Sequence, residues 1–187
     1  MHLDKILDGI HPLSSEAKSL IVSATTEVHF PKGHILFKEN RYEQNVYFLK
    51  SGIARAFSTI DDGEITFWFG MQGDFIISMQ NYIENRRSYE TIELLEDAEL
   101  YQISNKNLQN LYNQNVEIAN WGRKLAEKEL VKTEKRFISR QLGTATERYK
   151  ELLNTYPDLM QRVALCHIAS FLGITQVSLS RIRAEIR

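Results

Sequence analysis

Apolar positions along this chain change their period twice, and each change marks a change of architecture. Residues 3–22, LDKILDGIHPLSSEAKSLIV, place apolar side chains at helical spacing, with Pro12 and the Ser14-Ser15 pair marking a break and a fresh helix start. From Val28 to Ile103 the pattern turns to short β-rich runs: VHF, HILFKE, NVYFLKSG, IARAFSTI, EITFWFG and MQGDFII. Turn residues separate them, among them Pro31-Lys32-Gly33 and Asp61-Asp62-Gly63, the latter a strong hairpin signal. Runs this short predict an all-β barrel or sandwich. The interval from Ser78 to Arg87, SMQNYIENRR, loses the alternation and predicts a short helix and loop inserted into the barrel, after which SYETIELL, the turn EDA and ELYQI resume it.

After Asn105 the period is helical to the end. Residues 105–142 contain no proline and a single interior glycine, Gly122, and predict one continuous helix of about 35 residues, longer than any small barrel is wide. Leu111, Ile118 and Leu125 recur every seven positions on it. Such a seam needs cover. A second copy of the chain is the favoured partner, and the barrel's own flank is the alternative. A further helix is expected from Thr144 to Tyr156, with Tyr149, Leu152, Leu153 and Tyr156 on one face and Pro157 ending it. The expected organisation is therefore α+β with two domains: residues 1–104 as the barrel with its N-terminal helices, 105–142 as the long helix, and 143–187 as a small helical domain.

The last 26 residues, RVALCHIASFLGITQVSLSRIRAEIR, carry the sharpest local signal. Two short helices cross closely only if the first is small where they touch and the turn accepts an unusual backbone angle, and Ala169 and Gly173 meet those demands. Ile168, Leu172, Ile174, Leu179 and Ile182 supply one apolar seam around them. Thr175 is the expected N-cap of the second helix. With Leu179 and Ile182 inward, Gln176, Val177, Ser178, Ser180, Arg181 and Arg183 lie on the outer side, where a major groove would be reached. Arg181 is the expected base reader, because a guanidinium can bond guanine O6 and N7 together. A helical hairpin that merely packs on its own domain is the plain alternative.

Charge distribution adds to this where total charge does not. The net charge is −1, yet residues 162–187 carry four basic and one acidic side chain. Positive charge gathered on a small terminal domain favours phosphate contacts. A second basic run at 123–140, seven positive against three negative, reads first as a solvated helix face. The one cysteine, Cys166, excludes an internal disulfide and is expected as a small buried side chain. No stretch resembles a signal peptide or a membrane span, so a cytoplasmic protein with no membrane partner is expected. The five histidines offer no converging metal set, and Gly-x-Ser-x-Gly, Cys-x-x-Cys and phosphate-loop motifs are missing from the sequence. Neither catalytic nor metal-binding residues are expected, and the chain is read as no enzyme.

With that order in place, the chain resembles the Crp-Fnr family of bacterial transcription regulators over essentially its whole length. The matching pieces are Pro31-Lys32-Gly33 with Ile35-Leu36-Phe37, the run from Tyr47 to Gly52, Gly73-Asp74-Phe75, Leu95-Glu96-Asp97-Ala98-Glu99, and Ile168-Ala169-Ser170-Phe171-Leu172-Gly173-Ile174-Thr175. The resemblance implies an N-terminal jelly roll of the cyclic-nucleotide-binding type, a long dimerisation helix forming a homodimer, and a C-terminal winged-type helix-turn-helix on a palindromic promoter site. Promoter DNA is then the expected partner and RNA polymerase a candidate contact. Thr175, Gln176, Val177, Ser178, Arg181 and Arg183 are the expected DNA-contacting residues, with Arg187 on a phosphate. The chain stops at Arg187, so a wing hairpin after the second helix is expected to be missing from these residues.

Two departures qualify the resemblance. Where cyclic-nucleotide-binding members carry a Gly-Glu pair, this chain has Ile77 and Ser78, which removes the carboxylate that holds the ribose and crowds the backbone approach. The expected effector pocket is Ser78, Met79, Arg86, Arg87 and Ser88, with Arg87-Ser88 resembling the phosphate-binding pair. Its ligand would be a cyclic nucleotide or another small anion, with no cofactor certain. The second departure is Val177 where the family's reading helix often has a Glu; valine can touch a thymine methyl but cannot accept from cytosine. A non-enzymatic ligand-binding or protein-interaction module with the same barrel is the alternative reading of the whole chain.

Overall fold

The structure, a computed structural model, describes residues 1–61 and 63–186. Asp62, in the expected hairpin turn, and Arg187 lie outside the described residues. The elements run α1 (Leu3–Ile10), α2 (Ser15–Ser23), β1 (Thr26–Phe30), β2 (Ile35–Phe37), β3 (Asn45–Ser51), β4 (Ala54–Ile60), β5 (Gly63–Gly70), β6 (Phe75–Ile76), α3 (Met79–Glu84), β7 (Thr91–Leu94), β8 (Ala98–Ser104), α4 (Asn105–Gln114), α5 (Val116–Leu142), α6 (Ala145–Thr155), α7 (Leu159–Arg162), α8 (Leu165–Leu172) and α9 (Gln176–Ile186). Two four-stranded sheets, in the orders β1-β8-β3-β6 and β2-β7-β4-β5, make up the β part.

The chain divides into two compact units, Met1–Ala56 with Phe69–Glu129, and Phe57–Trp68 with Leu130–Arg187. The break thus falls inside α5 and inside the β4–β5 hairpin. A linear reading places boundaries between elements because it cannot see that α4 and the start of α5 share a core with the strands.

In the first unit β3 is buried on both faces: Val46, Tyr47, Phe48 and Leu49 are all inside. The antiparallel register with β8 sets Phe48 opposite Tyr101 and Leu49 opposite Leu100. Because side chains alternate across a strand, Val46, Phe48, Tyr101 and Ile103 fall on one face. There they join Leu3, Ile6, Leu7, Ala17, Ile21, Leu108, Ile118, Trp121 and Leu125 from the helices in one cluster. Trp121 is fully buried and its indole N–H donates to Leu7 O at 3.0 Å. Glu117 accepts from the Ser14 hydroxyl at 2.6 Å and Lys128 Nζ donates to Gly9 O at 2.8 Å. One face of α5 therefore holds both N-terminal helices.

The expected continuous helix over 105–142 is two helices. Asn115 leaves the helical region (φ −137°, ψ 111°), and its side-chain oxygen accepts from Ile118 N at 3.1 Å. A short amide side chain can offer the backbone such an alternative partner, and here it ends α4 and starts α5. The heptad seam also has an internal answer. Ile118 and Leu125 are buried in the first unit's own core, and Leu111 packs against it. The barrel flank covers it, against the expectation of a second copy. The exposed apolar residues of α5 are others: Val116, Leu130, Val131, Phe137, Ile138 and Leu142.

Gly52 holds the sharp corner between β3 and β4. Its φ is +109°, and a Cβ there would sit 2.6 Å from the Ala98 Cβ. Both the backbone angle and the space require glycine. Gly52→Ala is expected to cost about 2 kcal/mol or more, read as a lower midpoint in urea unfolding at unchanged slope.

Candidate functional site

Two places in the molecule gather the residues singled out from sequence, one in each unit. In the second unit α8 and α9 are joined by a turn of three residues. Gly173 adopts the left-handed region at φ 67°, ψ 36°, and this folds the chain back so that the Ile174 N–H donates to Ala169 O at 3.0 Å. Ile168, Ala169 and Leu172 of α8 and Leu179 and Ile182 of α9 are buried, while Ile174 is half-buried. The α9 start is capped as expected: Thr175 Oγ1 accepts from Ser178 N at 3.1 Å.

The carbonyl end of α8 is held by cations, which suits the negative end of a helix dipole. Arg148 of α6 donates to Leu172 O through Nε at 3.2 Å and Nη2 at 3.0 Å, and to Gly143 O through Nη1 at 2.6 Å. The Arg140 guanidinium lies against Gly173, 3.3 Å from where a Cβ would be. On the other side, Ser170 Oγ donates to Glu64 O at 2.6 Å and accepts from Thr66 N at 2.9 Å, clasping α8 to β5. Arg148 and Ser170 escaped the sequence reading. An arginine in a helix or a serine in an apolar run has no periodic signal of such a role.

The outer face of α9 presents Gln176, Val177, Ser180 and Arg181, all exposed, Val177 at 62%. Thr175 is exposed, but its hydroxyl and that of Ser178 are 3.0 Å apart and engaged with each other. Ser178 and Arg183 are half-buried at the flanks, because each stands about 200° from its exposed neighbour two positions away. Cys166 is exposed, contrary to expectation. It precedes Ile168 by two positions and so faces away from the buried stripe of α8.

The second place is the segment from Ser78 to Glu90 in the first unit. Ser78 and Ser88 are each 1% exposed. The other residues of the expected pocket do not join them. Met79 and both arginines are exposed; Arg86 pairs with Glu84 at 3.5 Å, and the Arg87 guanidinium stands 5.9 Å over the Tyr42 ring. Backbone bonds from Asn40 N to Ser88 O at 2.8 Å and from Ser88 N to Arg41 O at 2.9 Å hold the segment to the loop after β2. Glu90, at 3% exposure, is buried near Ser78, and the other buried charged side chain among the described residues is Arg55, which donates to Glu93 at 2.8 Å. Burial pushes the Glu90 carboxyl above the ordinary range and the Glu39 charge adds to this, while the nearby Ser78 hydroxyl pulls the other way. Sequence reading missed Glu90, since a Glu in a β run looks like a solvent-facing position until the sheet is folded.

Helix α3 also touches the long helix through tyrosines. Tyr82 packs against the first unit's core beside Ile77, Leu111 and Tyr112. Its phenol neighbours that of Tyr112, and burial raises both, Tyr112 the more strongly. The Tyr112 ring in turn lies on Gly122 of α5, where a Cβ would meet it at 2.6 Å.

Residues 27–115 match the family described as cyclic nucleotide-binding domain. No curated protein matches the chain. Among solved structures the chain is similar to FixK2 from Bradyrhizobium japonicum, with TM-score 0.71, 19% identity, and 87% of this chain and 84% of that one covered. It is similar to a transcriptional regulator of the Crp/Fnr family from Eubacterium rectale, at 0.72, 20%, 93% and 85%. The global regulator CLP of Xanthomonas campestris, described as c-di-GMP responsive, aligns at 0.70, 17%, 92% and 91%. The chain thus has the fold of Crp/Fnr-type regulators, with a domain of the cyclic-nucleotide-binding type. Two of these neighbours are described as regulators.

Arg86 and Arg87, the basic residues of the expected pocket, are exposed, while the buried cation among the described residues of this unit is Arg55, paired with Glu93 at 2.8 Å. For the turn between α8 and α9, Arg148→Met is expected to cost about 1.5–3 kcal/mol by releasing the last carbonyl of α8, and Arg148→Lys to recover only part, lacking the fork. Thermal unfolding of the variants measures both.

Proposed function

We propose that the chain is a dimeric, sequence-specific DNA-binding transcription regulator of the Crp-Fnr type, working in the cytoplasm, whose first unit senses a small molecule. The observation that carries this is the division of labour on α9: Leu179 and Ile182 are used up against α8, while Gln176, Val177, Ser180 and Arg181 face solvent with no structural task. In this reading α8 and α9 form a helix-turn-helix with α9 in the major groove. Arg181 and Gln176 contact base edges, and Val177 touches a thymine methyl. Thr175, Ser178 and Arg183 meet phosphates at the groove edge; Arg187 is assigned the same role from sequence alone. Clasping by Ser170 and Arg148 keeps the pair rigid enough to position those side chains.

Dimerisation is assigned to the later part of α5, on residues other than the heptad first singled out. Leu130 and Phe137 are seven apart, as are Val131 and Ile138, with Leu142 one turn further, and they are 70%, 63%, 49%, 48% and 83% exposed. A helix with so much apolar surface in water gains by pairing with its copy, which also matches a palindromic site. The route from sensor to helix is the stack of Tyr82 on Tyr112 on Gly122. A shift of α3 would be felt on α5, the helix that continues into the second unit. RNA polymerase is the expected contact of the DNA-bound dimer. The alternative, a module that binds a protein rather than DNA, draws on the exposed Val177.

Salt separates the two readings. Retardation of upstream-region fragments is expected to weaken roughly tenfold or more between about 50 and 200 mM salt. Arg181→Ala is expected to cost about 1–3 kcal/mol and relax preference at one position per half-site, whereas a uniform loss on all sequences would make Arg181 a phosphate contact. For the dimer, Leu130→Glu with Phe137→Glu is expected to give a folded monomer in sedimentation velocity. A dimer that survives the pair would move the interface elsewhere.

A further inference from the structure

Arg140, in the last turn of α5, has a fixed place in the second unit and no partner for its charge among the described residues. Its guanidinium supplies the three heavy atoms nearest to where a Gly173 side chain would begin: Nη2 at 3.3 Å, Cζ at 3.8 Å and Nε at 3.9 Å. The bare turn between α8 and α9 thus seats it. Yet the side chain is exposed, and its guanidinium makes no hydrogen bond or ion pair among the described residues. The work open to a cation here is already done by another. Arg148 holds Leu172 O with two donors and Gly143 O with a third. Both carboxylates of α6 are engaged as well: Glu147 accepts from the Thr144 amide and hydroxyl, and Glu151 from the Ser139 hydroxyl. Arg140 is therefore a cation held at the turn with its donors turned to solvent.

We propose that Arg140 binds a DNA phosphate at the edge of the groove that α9 enters, a contact supplied by α5 from outside the helix-turn-helix. This rests on reading α9 as the recognition helix. Gly173 stands two residues before Thr175, the N-cap of α9, and a recognition helix meets base edges with its N-terminal residues. A cation seated on that turn stands beside the DNA backbone, where the parallel N–H groups of a guanidinium match two phosphate oxygens. Base reading stays with Gln176, Val177 and Arg181. Arg140 carries no sequence information and instead fixes how α9 is oriented in the groove. Its origin on α5 has a second consequence. Arg140 lies three residues after Phe137 and two after Ile138, in the stretch of exposed apolar residues assigned to the dimer. The last turns of one helix then hold both the second copy and the DNA backbone. The geometry of pairing reaches the half-site spacing through a single rigid element, and not only through the link from α5 to α6.

The test uses the full chain and two labelled duplexes, a fragment of its own upstream region and a duplex of random sequence, with binding read by fluorescence anisotropy between about 50 and 200 mM salt. Arg140→Gln is expected to weaken binding to both by about fivefold or more at the low-salt end. It is also expected to make the log–log salt slope shallower by roughly one per half-site while leaving the preference between sequences unchanged. Arg140→Lys keeps the charge without the fork, and is expected to restore the slope and only part of the affinity. An Arg140→Gln slope equal to that of the unaltered chain overturns the phosphate contact, as does a loss of binding that Arg140→Lys leaves unrepaired. Thermal unfolding separates a contact from a prop, since a cation in the last turn also suits the negative end of α5. Both variants are expected to melt within about 1 °C of the unaltered chain, and a fall of about 4 °C or more in both would make Arg140 a brace of the turn and overturn the proposal. Failure of the unaltered chain to bind either duplex at about 50 mM salt overturns the regulator reading, and the role of Arg140 with it. That result is distinct from every variant outcome, each of which begins from a chain that binds DNA.

Discussion

The fully buried indole of Trp121 is the contact on which the first unit depends. It sits between the sheet, with its ring centroid 6.0 Å from that of Phe48, and the N-terminal helices, where its N–H meets Leu7 O. An indole buried without that acceptor would carry an orphaned donor, so the end of α1 and the start of α5 fix one another. Glu117, four residues earlier, receives the N-terminus of α2 at Ser14, and Lys128, seven later, reaches Gly9. All three project from one stripe of α5. The early part of α5 is committed to the first unit in this way, and further along the helix Leu130, Val131, Phe137, Ile138 and Leu142 are exposed.

Polar accounting separates support from function in both units. Around the turn between α8 and α9 the loose ends are met: the last carbonyl of α8 by Arg148, the early backbone of α9 by Thr175, and β5 by Ser170. A scaffold held in this way can carry an outer helix face of exposed side chains, Gln176, Val177, Ser180 and Arg181. Around α3 the buried Ser88 hydroxyl has no hydrogen-bond partner among the described residues, whereas the Ser78 hydroxyl lies close enough to Glu90 to lower its pKa. Proteins retain such groups where something other than stability requires them.

Much of the architecture could be read from periodicity. The strand runs, the inserted helix, the break at Pro12, and the small residues at the α8–α9 turn emerge where the pattern places them, because each is encoded within a few neighbouring residues. The reading failed where a local signal had two outcomes. Asn115 in a helical stretch is tolerated by the pattern, yet its side chain could cap, and the packing of α4 beside α2 and β8 made capping the better choice. Leu111, Ile118 and Leu125 look like a coiled-coil seam in any sequence. Which surface covers such a seam depends on what the fold brings to it. Cys166 was misplaced because, on a helix of eight residues, two neighbouring stripes look equally apolar until one is pressed against a partner.

By itself, the sequence determined the order of elements, the turn at Gly173, the capped start of α9 and the outward set of Gln176, Val177 and Arg181, all consequences of spacing over at most a few turns. Only the tertiary structure decided which polar residues are buried together. Ser78, Ser88 and Glu90 are close in number, but so are Arg86 and Arg87, which the fold turns to the surface. The difference arises because a short helix, a loop and the lead into β7 point alternate side chains to opposite sides, and only the closed sheets say which side is dry. What looked like a weakened anion site in sequence becomes, once folded, a buried acid, Glu90, near the Ser78 hydroxyl, with Arg86 and Arg87 exposed.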